Sequence, residues 1–387
     1  MMANEVAAVA APADVAAAPA VARIMLTDFR SYAAARFEVS PLPVVLTGPN
    51  GAGKTNLLEA ISFLAPGRGL RRAKLSEIDR RGGTGPWALS ILLATPSGTM
   101  QIGTGRDAAS DSGERRLLRI DGTPAKSQVA LADLTSLVWL TPQMDRLFTE
   151  GASARRRFLD RLVSGFDPEH STRLAAYERA MRERLKLLRE GGGDPSWLKA
   201  LEAEMAAHGI AMIDARGRAV TRLDRACAIT RGPFPQARLA MAGEVDHWLE
   251  QMPALAAEDE LRRRLQAQRR ADADSGVTTF GPHRSDFAVT HVGNGMEAAL
   301  CSTGEQKALL LAILLAHARL LAAQIGYAPI MLLDEVAAHL DGERRAALFD
   351  EILDLKTQAW LTGTDAALFA GLRGAAQFFA VAAARIS

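Results

Sequence analysis

Residues 48–55 read Gly48-Pro49-Asn50-Gly51-Ala52-Gly53-Lys54-Thr55, between an apolar run at 44–46 and a helix-forming run at 56–64. The octapeptide fits GxxxxGK[ST]. No other feature of the chain restricts its fold as much, because such a loop functions only between a buried strand and the first turn of a helix. Gly48, Gly51 and Gly53 let backbone N–H groups turn inward around a phosphate, with Pro49, Asn50 and Ala52 completing the cradle. Lys54 is placed to neutralise the β- and γ-phosphates of ATP, and the Thr55 hydroxyl to ligate Mg2+. The expected fold is α/β, a P-loop NTPase with a mixed sheet and flanking helices.

Two segments near the C-terminus narrow this further. The apolar run at 330–333 ends in Asp334-Glu335, as a buried parallel strand delivering one carboxylate to Mg2+ and the other to an attacking water. Ser302-Thr303-Gly304-Glu305-Gln306 precedes a long apolar run. Alone it reads equally as an ordinary helix cap. Placed before that strand it becomes a phosphate-binding helix start, with Ser302, Gly304 and Glu305 acting on the γ-phosphate held by a second subunit. Phosphate loop, signature segment and Asp-Glu strand together describe an ABC-type head that closes on ATP as a homodimer.

Three more positions belong to that pattern. Gln143, after the strand-like run 136–140, occupies the place of a glutamine that senses Mg2+ or the lytic water, although an ordinary loop glutamine fits the same residues. Asp341, in His339-Leu340-Asp341, falls at the dimer seam. Thr362-Gly363-Thr364-Asp365 stands where most such ATPases place a switch histidine, so phosphate sensing by imidazole is not expected.

The motifs are separated by a long insertion. Residues 1–22 read as a disordered Ala/Pro-rich extension, 23–165 as the first part of the head with a small antiparallel sheet, 166–277 as a helical arm, and 278–387 as the second part of the head. In the arm, Leu174, Tyr177, Met181, Leu185 and Leu188 recur at helical spacing, a breaker follows at 191–195, and a second run continues through Leu198, Leu201, Met205 and Met212. The spacing predicts an antiparallel helical hairpin.

Composition sets limits on partners. With 48% hydrophobic and 23% charged residues in 387, the chain is globular, and its net charge of +2 gives no overall field to attract a polyanion. Any nucleic-acid surface must be local. Two distant cysteines, Cys227 and Cys301, form neither a disulfide framework nor a zinc pattern and suit a reducing cytoplasm. The apolar stretch 308–325 is interrupted by His317 and Arg319 and reads as a buried helix, so no membrane span is expected.

Together with Phe280-Gly281-Pro282-His283-Arg284-Ser285-Asp286, the motifs resemble the RecF family of bacterial recombination and repair ATPases. Arg155-Arg156-Arg157-Phe158-Leu159-Asp160 and Phe29-Arg30-Ser31-Tyr32 extend the resemblance, which runs from about residue 23 to the end. It implies an ATP-binding, ATP-dimerising protein that engages gapped DNA at duplex–single-strand boundaries. With RecR- and RecO-type partners it would promote recombinase loading in gap repair and the SOS response, with weak DNA-stimulated ATPase activity. The alternative is an ABC-type ATPase subunit of a transport or other SMC-like assembly.

For DNA contacts, Arg68, Arg71, Arg72 and Lys74 form the candidate cluster nearest the phosphate loop; Arg155–Arg157 and Arg262–Arg264 are others, each also explicable as a solvated helix face. His283 and Arg284 either act near the phosphates or brace the junction of arm and head.

Overall fold

The computed structural model of the protein describes residues 18–110, 114–191, 194–229 and 232–387. The expected N-terminal extension therefore lies outside the described residues, except at its end. There the structure moves the boundary: β1 (Ala20–Phe29) begins before residue 23. Ala20 and Val21 pair with Ala94 and Leu93, and the Val21 N–H donates to the buried Gln358 side chain at 2.8 Å. Alternation continues back to Val21, which is fully buried, so the strand has no reason to start later.

β1 turns into β2 (Tyr32–Glu38), and β3 (Val44–Thr47) runs into α1 (Lys54–Ser62) through the phosphate loop. Four antiparallel strands follow: β4 (Ala88–Thr95), β5 (Gly98–Asp107), β6 (Arg115–Ile120) and β7 (Thr123–Pro124). They extend the hairpin into a sheet of order β2-β1-β4-β5-β6-β7. The small antiparallel sheet expected at 82–122 is thus continuous with the first two strands.

β8 (Leu137–Leu140) leads out of the head into α2 (Ala152–Phe166), α3 (His170–Arg189) and α4 (Pro195–Ala228). α4 starts with Pro195 at its first position and Asp194 accepting the Ser196 N–H at 2.8 Å, which satisfies an otherwise open donor. The α3–α4 hairpin is as expected. Its outer part packs Tyr177, Leu201, Met205, Ile213 and Leu261 into a core separate from the head, but Ala215, Ala219 and Leu223 of α4 belong to the head core. The arm is rooted in the head by one long helix.

An unexpected strand, β9 (Ala237–Ala242), precedes α5 (Trp248–Gln251), α6 (Ala254–Ala267) and α7 (Arg269–Ser275). It pairs antiparallel with β10 (Asp286–His291) where the chain returns.

α8 (Thr303–Ile325) is long and apolar enough to cross a membrane, but it is the central helix of the head core. Each of its buried leucines contributes about 1.5–3 kcal/mol. β11 (Ile330–Leu333), α9 (Gly342–Asp354), β12 (Ala359–Gly363), β13 (Gln377–Ala382) and β14 (Arg385–Ile386) complete the chain. The second sheet has the order β14-β13-β3-β12-β11-β8, and β13, β3, β12, β11 and β8 run parallel. Strands from the two ends of the sequence alternate in it, so the head is one unit assembled from both.

Candidate functional site

The parallel register decides which side chains meet. Leu333 lies opposite both Leu140 and Leu361, so the ends of β8, β11 and β12 are level with the loop that leaves β3. Ligands of open α/β sheets bind at such carboxyl ends. Gly48 has φ 150° and a Cβ there would lie 2.0 Å from the Val381 carbonyl oxygen; Gly53 has φ 113° and a Cβ would meet the Tyr32 hydroxyl at 2.7 Å. Only glycine fits at either position. Lys54 is buried, its ammonium donating to the carbonyls of Gly48 (2.7 Å) and Pro49 (2.9 Å), at the mouth of the loop.

Thr55 Oγ1 stands 3.0 Å from both carboxylate oxygens of Asp334. The two residues are 279 positions apart in sequence. Burial raises the Asp334 pKa, against the hydrogen bonds from Thr362 and Thr55. A buried carboxylate beside a hydroxyl, with no basic side chain bonded to it, fits a divalent cation as its missing counter-charge. Among the described residues there is no cluster of three or more His, Cys, Asp or Glu side chains. A Mg2+ shell completed by phosphate and water needs none.

Glu335 sits one residue beyond in the left-handed region, at φ 53°. For a non-glycine residue this conformation costs on the order of 1–3 kcal/mol and persists only where the surroundings hold it. Here the Glu335 N–H donates to Thr362 Oγ1 at 2.9 Å, while that hydroxyl donates to Asp334 at 2.7 Å. Sequence reasoning had singled out Thr362 only as the neighbour of a missing histidine. Its hydroxyl at the end of an apolar strand was the available signal.

Gln143 is exposed in a single helical turn, 142–146, directly after β8. Leu140 accepts the Asp334 N–H at 2.9 Å, which brings this turn beside the carboxylates. Asp145 of the same turn is bonded at 3.0 Å to Lys307, a buried residue of α8.

Ser302 caps α8 in a capping box: its Oγ accepts from the Glu305 N–H, and Glu305 accepts from the Ser302 N–H and O–H at 2.9 and 2.7 Å. These bonds, the hydroxyl's first, hold the Glu305 carboxyl below its ordinary pKa. Glu305 therefore serves its own helix start, while Ser302, Thr303 and Gly304 are exposed. No hydrogen bond among the described residues joins this segment to the phosphate loop of the same chain. Asp341 caps α9, accepting the Arg344 N–H at 2.8 Å, and is also exposed.

The basic clusters separate. Arg71 donates to Asn56 (2.8 Å) and to the fully buried Glu59 (2.9 Å), which Arg30 also binds. That buried carboxylate requires its cations, so Arg68, Arg72 and Lys74 remain as the exposed members of the group. Arg155 is held by Asp286 (2.8 and 2.7 Å) and Arg156 by the Ser285 carbonyl. Arg262 pairs with Asp259, and Arg263 and Arg264 with Glu260, as a solvated helix face.

Residues 280–286 brace the junction of arm and head. Buried Arg216 of α4 binds Asp160 of α2 at 2.8 and 2.9 Å and the Pro282 carbonyl at 2.8 Å. His283 Nε2 donates to the Thr278 carbonyl at 2.8 Å, so Nδ1 accepts from the Tyr177 hydroxyl at 2.7 Å. Burial lowers the His283 pKa to about 4, and it is neutral.

The profile described as RecF/RecN/SMC N terminal domain matches residues 20–373. The chain is 50% identical over 365 residues to the DNA replication and repair protein RecF of Mesorhizobium japonicum, covering 93% of this chain and 96% of that one. It is 52% identical over 364 residues to the protein of the same description in Rhizobium rhizogenes, covering 94% and 96%. A solved structure of the recombination mediator protein RecF-ATP in the RecFOR pathway superposes with a TM-score of 0.81 at 22% identity, over 96% of this chain and 98% of that one. The Smc head domain of Pyrococcus furiosus, with an extended coiled coil, gives 0.53 at 16% identity over 94% of each chain. The fold is thus an ABC-ATPase head of SMC/RecF type with a helical arm.

Proposed function

This chain belongs to the RecF family, and from that premise we propose that it is an ATP-dependent DNA-binding protein of replication and repair. It dimerises on ATP, acts at gapped or single-strand/duplex junction DNA to promote recombinase loading, and is reset by slow hydrolysis. RecR- and RecO-type mediators are its partners, and the cytoplasm is its compartment. The observation that carries this reading is the contact of Thr55 with Asp334, while the signature segment at Ser302–Gly304 stays exposed. One chain has half of two sites, and a second copy would complete both.

Within each site, the 48–55 amides and Lys54 would bind and orient the nucleotide phosphates. Mg2+, held by Thr55 and Asp334, would supply charge neutralisation between the phosphates. Glu335, fixed by its N–H to Thr362, would accept the proton of the attacking water. Gln143 would orient that water. The partner's Ser302 hydroxyl and the open helix start around Gly304 would close over the terminal phosphate, with Asp341 at the seam. Exposed Arg68, Arg72 and Lys74 would contribute phosphate-backbone contacts, with Arg71 placed behind them against α1.

ATPase activity measured against protein concentration, with and without gapped DNA, tests this reading. Specific activity should rise with concentration and rise again with DNA. A flat profile, indifferent to DNA, would indicate a monomeric enzyme and remove the DNA-linked dimer mechanism.

A further inference from the structure

Most arginines at the base of the arm are neutralised: Arg155 by Asp286, Arg216 by Asp160, Arg173 by Asp167. Arg161 of α2 is different. Its Nη2 donates to the Met144 sulfur at 3.5 Å, and its guanidinium lies over the rings of Trp139 (4.9 Å) and Phe158 (5.4 Å). Among the described residues no carboxylate reaches it. Burial, and then the charge of Arg72, lower its pKa to about 10, so it remains a cation. The indole N–H of Trp139, in that stack, is buried without an acceptor.

Arg72 is exposed, has no acidic partner among the described residues, and adopts φ 54°. Its left-handed backbone costs free energy with no local return. Two guanidinium groups near enough to disfavour each other's charge, without a carboxylate between them, form a seat for an anion with forked acceptors. The thioether of Met144 is a weak acceptor that a phosphate oxygen would displace.

The displaced residue matters. Met144 is adjacent to Gln143, in the turn 142–146, and on the other side Asp145 is gripped by Lys307 of the signature helix. Gln143 is thus the free residue of a turn held at Met144 by Arg161 and at Asp145 by Lys307.

The geometry points to Arg161 and Arg72 as the seat for one DNA backbone phosphate, and to Met144 as the lever by which its arrival repositions Gln143. DNA would raise hydrolysis through this seat. The inference rests on the DNA-binding reading above and adds to it an entry point for the signal.

The test uses the full-length protein, gapped DNA, and the variants Arg72→Ala, Arg161→Gln and Arg161→Lys, with thermal unfolding as a check that each folds. The readouts are the ratio of kcat with DNA to kcat without, the salt slope of DNA binding, and KM for ATP without DNA. The ratio should fall to about 1 in Arg72→Ala and Arg161→Gln, and stay low in Arg161→Lys, which keeps the charge but loses the fork. The salt slope should flatten by about 0.9 for each charge removed. Arg72→Ala is exposed and tests the seat even if Arg161 variants unfold. A preserved ratio in folded Arg72→Ala, beside a stimulated wild type, overturns the seat alone. A wild type that DNA does not stimulate sinks the reading beneath it. A raised KM for ATP without DNA would assign the arginines to the nucleotide's own phosphates and also overturn the proposal.

Discussion

Thr362 and Asp334 are joined by a 2.7 Å hydrogen bond, and the same hydroxyl accepts the Glu335 N–H. One threonine on β12 thereby fixes both carboxylates at the end of β11. Thr362→Val keeps the volume and removes both bonds. Turnover should fall about 10- to 100-fold, the usual effect of losing a partner behind a metal ligand, and Thr362→Ser should recover most of it. Steady-state ATPase assays with both variants decide this; an unaffected Thr362→Val would reduce the hydroxyl to a packing role.

Glu335→Gln should bind ATP with unchanged affinity and turn over about two to four orders of magnitude more slowly, as for loss of a general base. The ATP-held dimer should persist, visible by size-exclusion chromatography in ATP. Wild-type turnover in this variant would exclude Glu335 from water activation.

Ser302→Arg places a long side chain on an exposed helix start. Nucleotide binding by the monomer should survive while ATP-driven dimerisation is lost. Ser302→Ala is the control, since it loses only the cap, worth about 1 kcal/mol. Mixed with Lys54→Met, Ser302→Arg should form a heterodimer with at most one competent site. Full activity of Ser302→Arg at high dilution would contradict a site shared between subunits.

Acid should weaken the fold through its buried histidines. His317 is buried, donates through Nε2 to the Leu162 carbonyl at 2.9 Å, and has its pKa lowered to about 3 by that burial. Its ordinary value is 6.5, so between the two values the unfolded chain holds a proton that the folded chain refuses. Stability is therefore greatest above the ordinary value and declines as pH drops below it, by at most about 1.4 kcal/mol per pH unit per histidine. Urea midpoints at pH 7.5 and 5.5 should differ less in His317→Gln, which keeps a donor, than in the wild type. Equal differences would assign the acid sensitivity elsewhere.

The head was legible in the sequence because its strands and loops carry short-range signals. The glycines of the phosphate loop, the apolar run into Asp334 and the Ser302 cap each declare themselves within a few residues. Thr362 did not, since its role arises from parallel register between β11 and β12. Nor did β9, whose six residues pair only with β10 across the whole arm return. Charge runs were least informative. Arg155 and Arg156 look like a polyanion surface along the chain, yet folding directs them onto Asp286 and Ser285, and Arg71 onto Glu59. Whether an arginine is free depends on which carboxylates the fold buries nearby.

The placement of β3 between β12 and β13 has a consequence for biosynthesis. A ribosome releases the phosphate loop early, but both strands that flank it are made last. Until residues 359–382 emerge, β3 has no hydrogen-bonded neighbour, and the nascent loop has no frame on which to hold a nucleotide. The outer arm, with its own core, can consolidate in the meantime. Completion of the chain and completion of the nucleotide site are then nearly the same event, and a product truncated before β12 would carry an intact phosphate loop that cannot engage ATP.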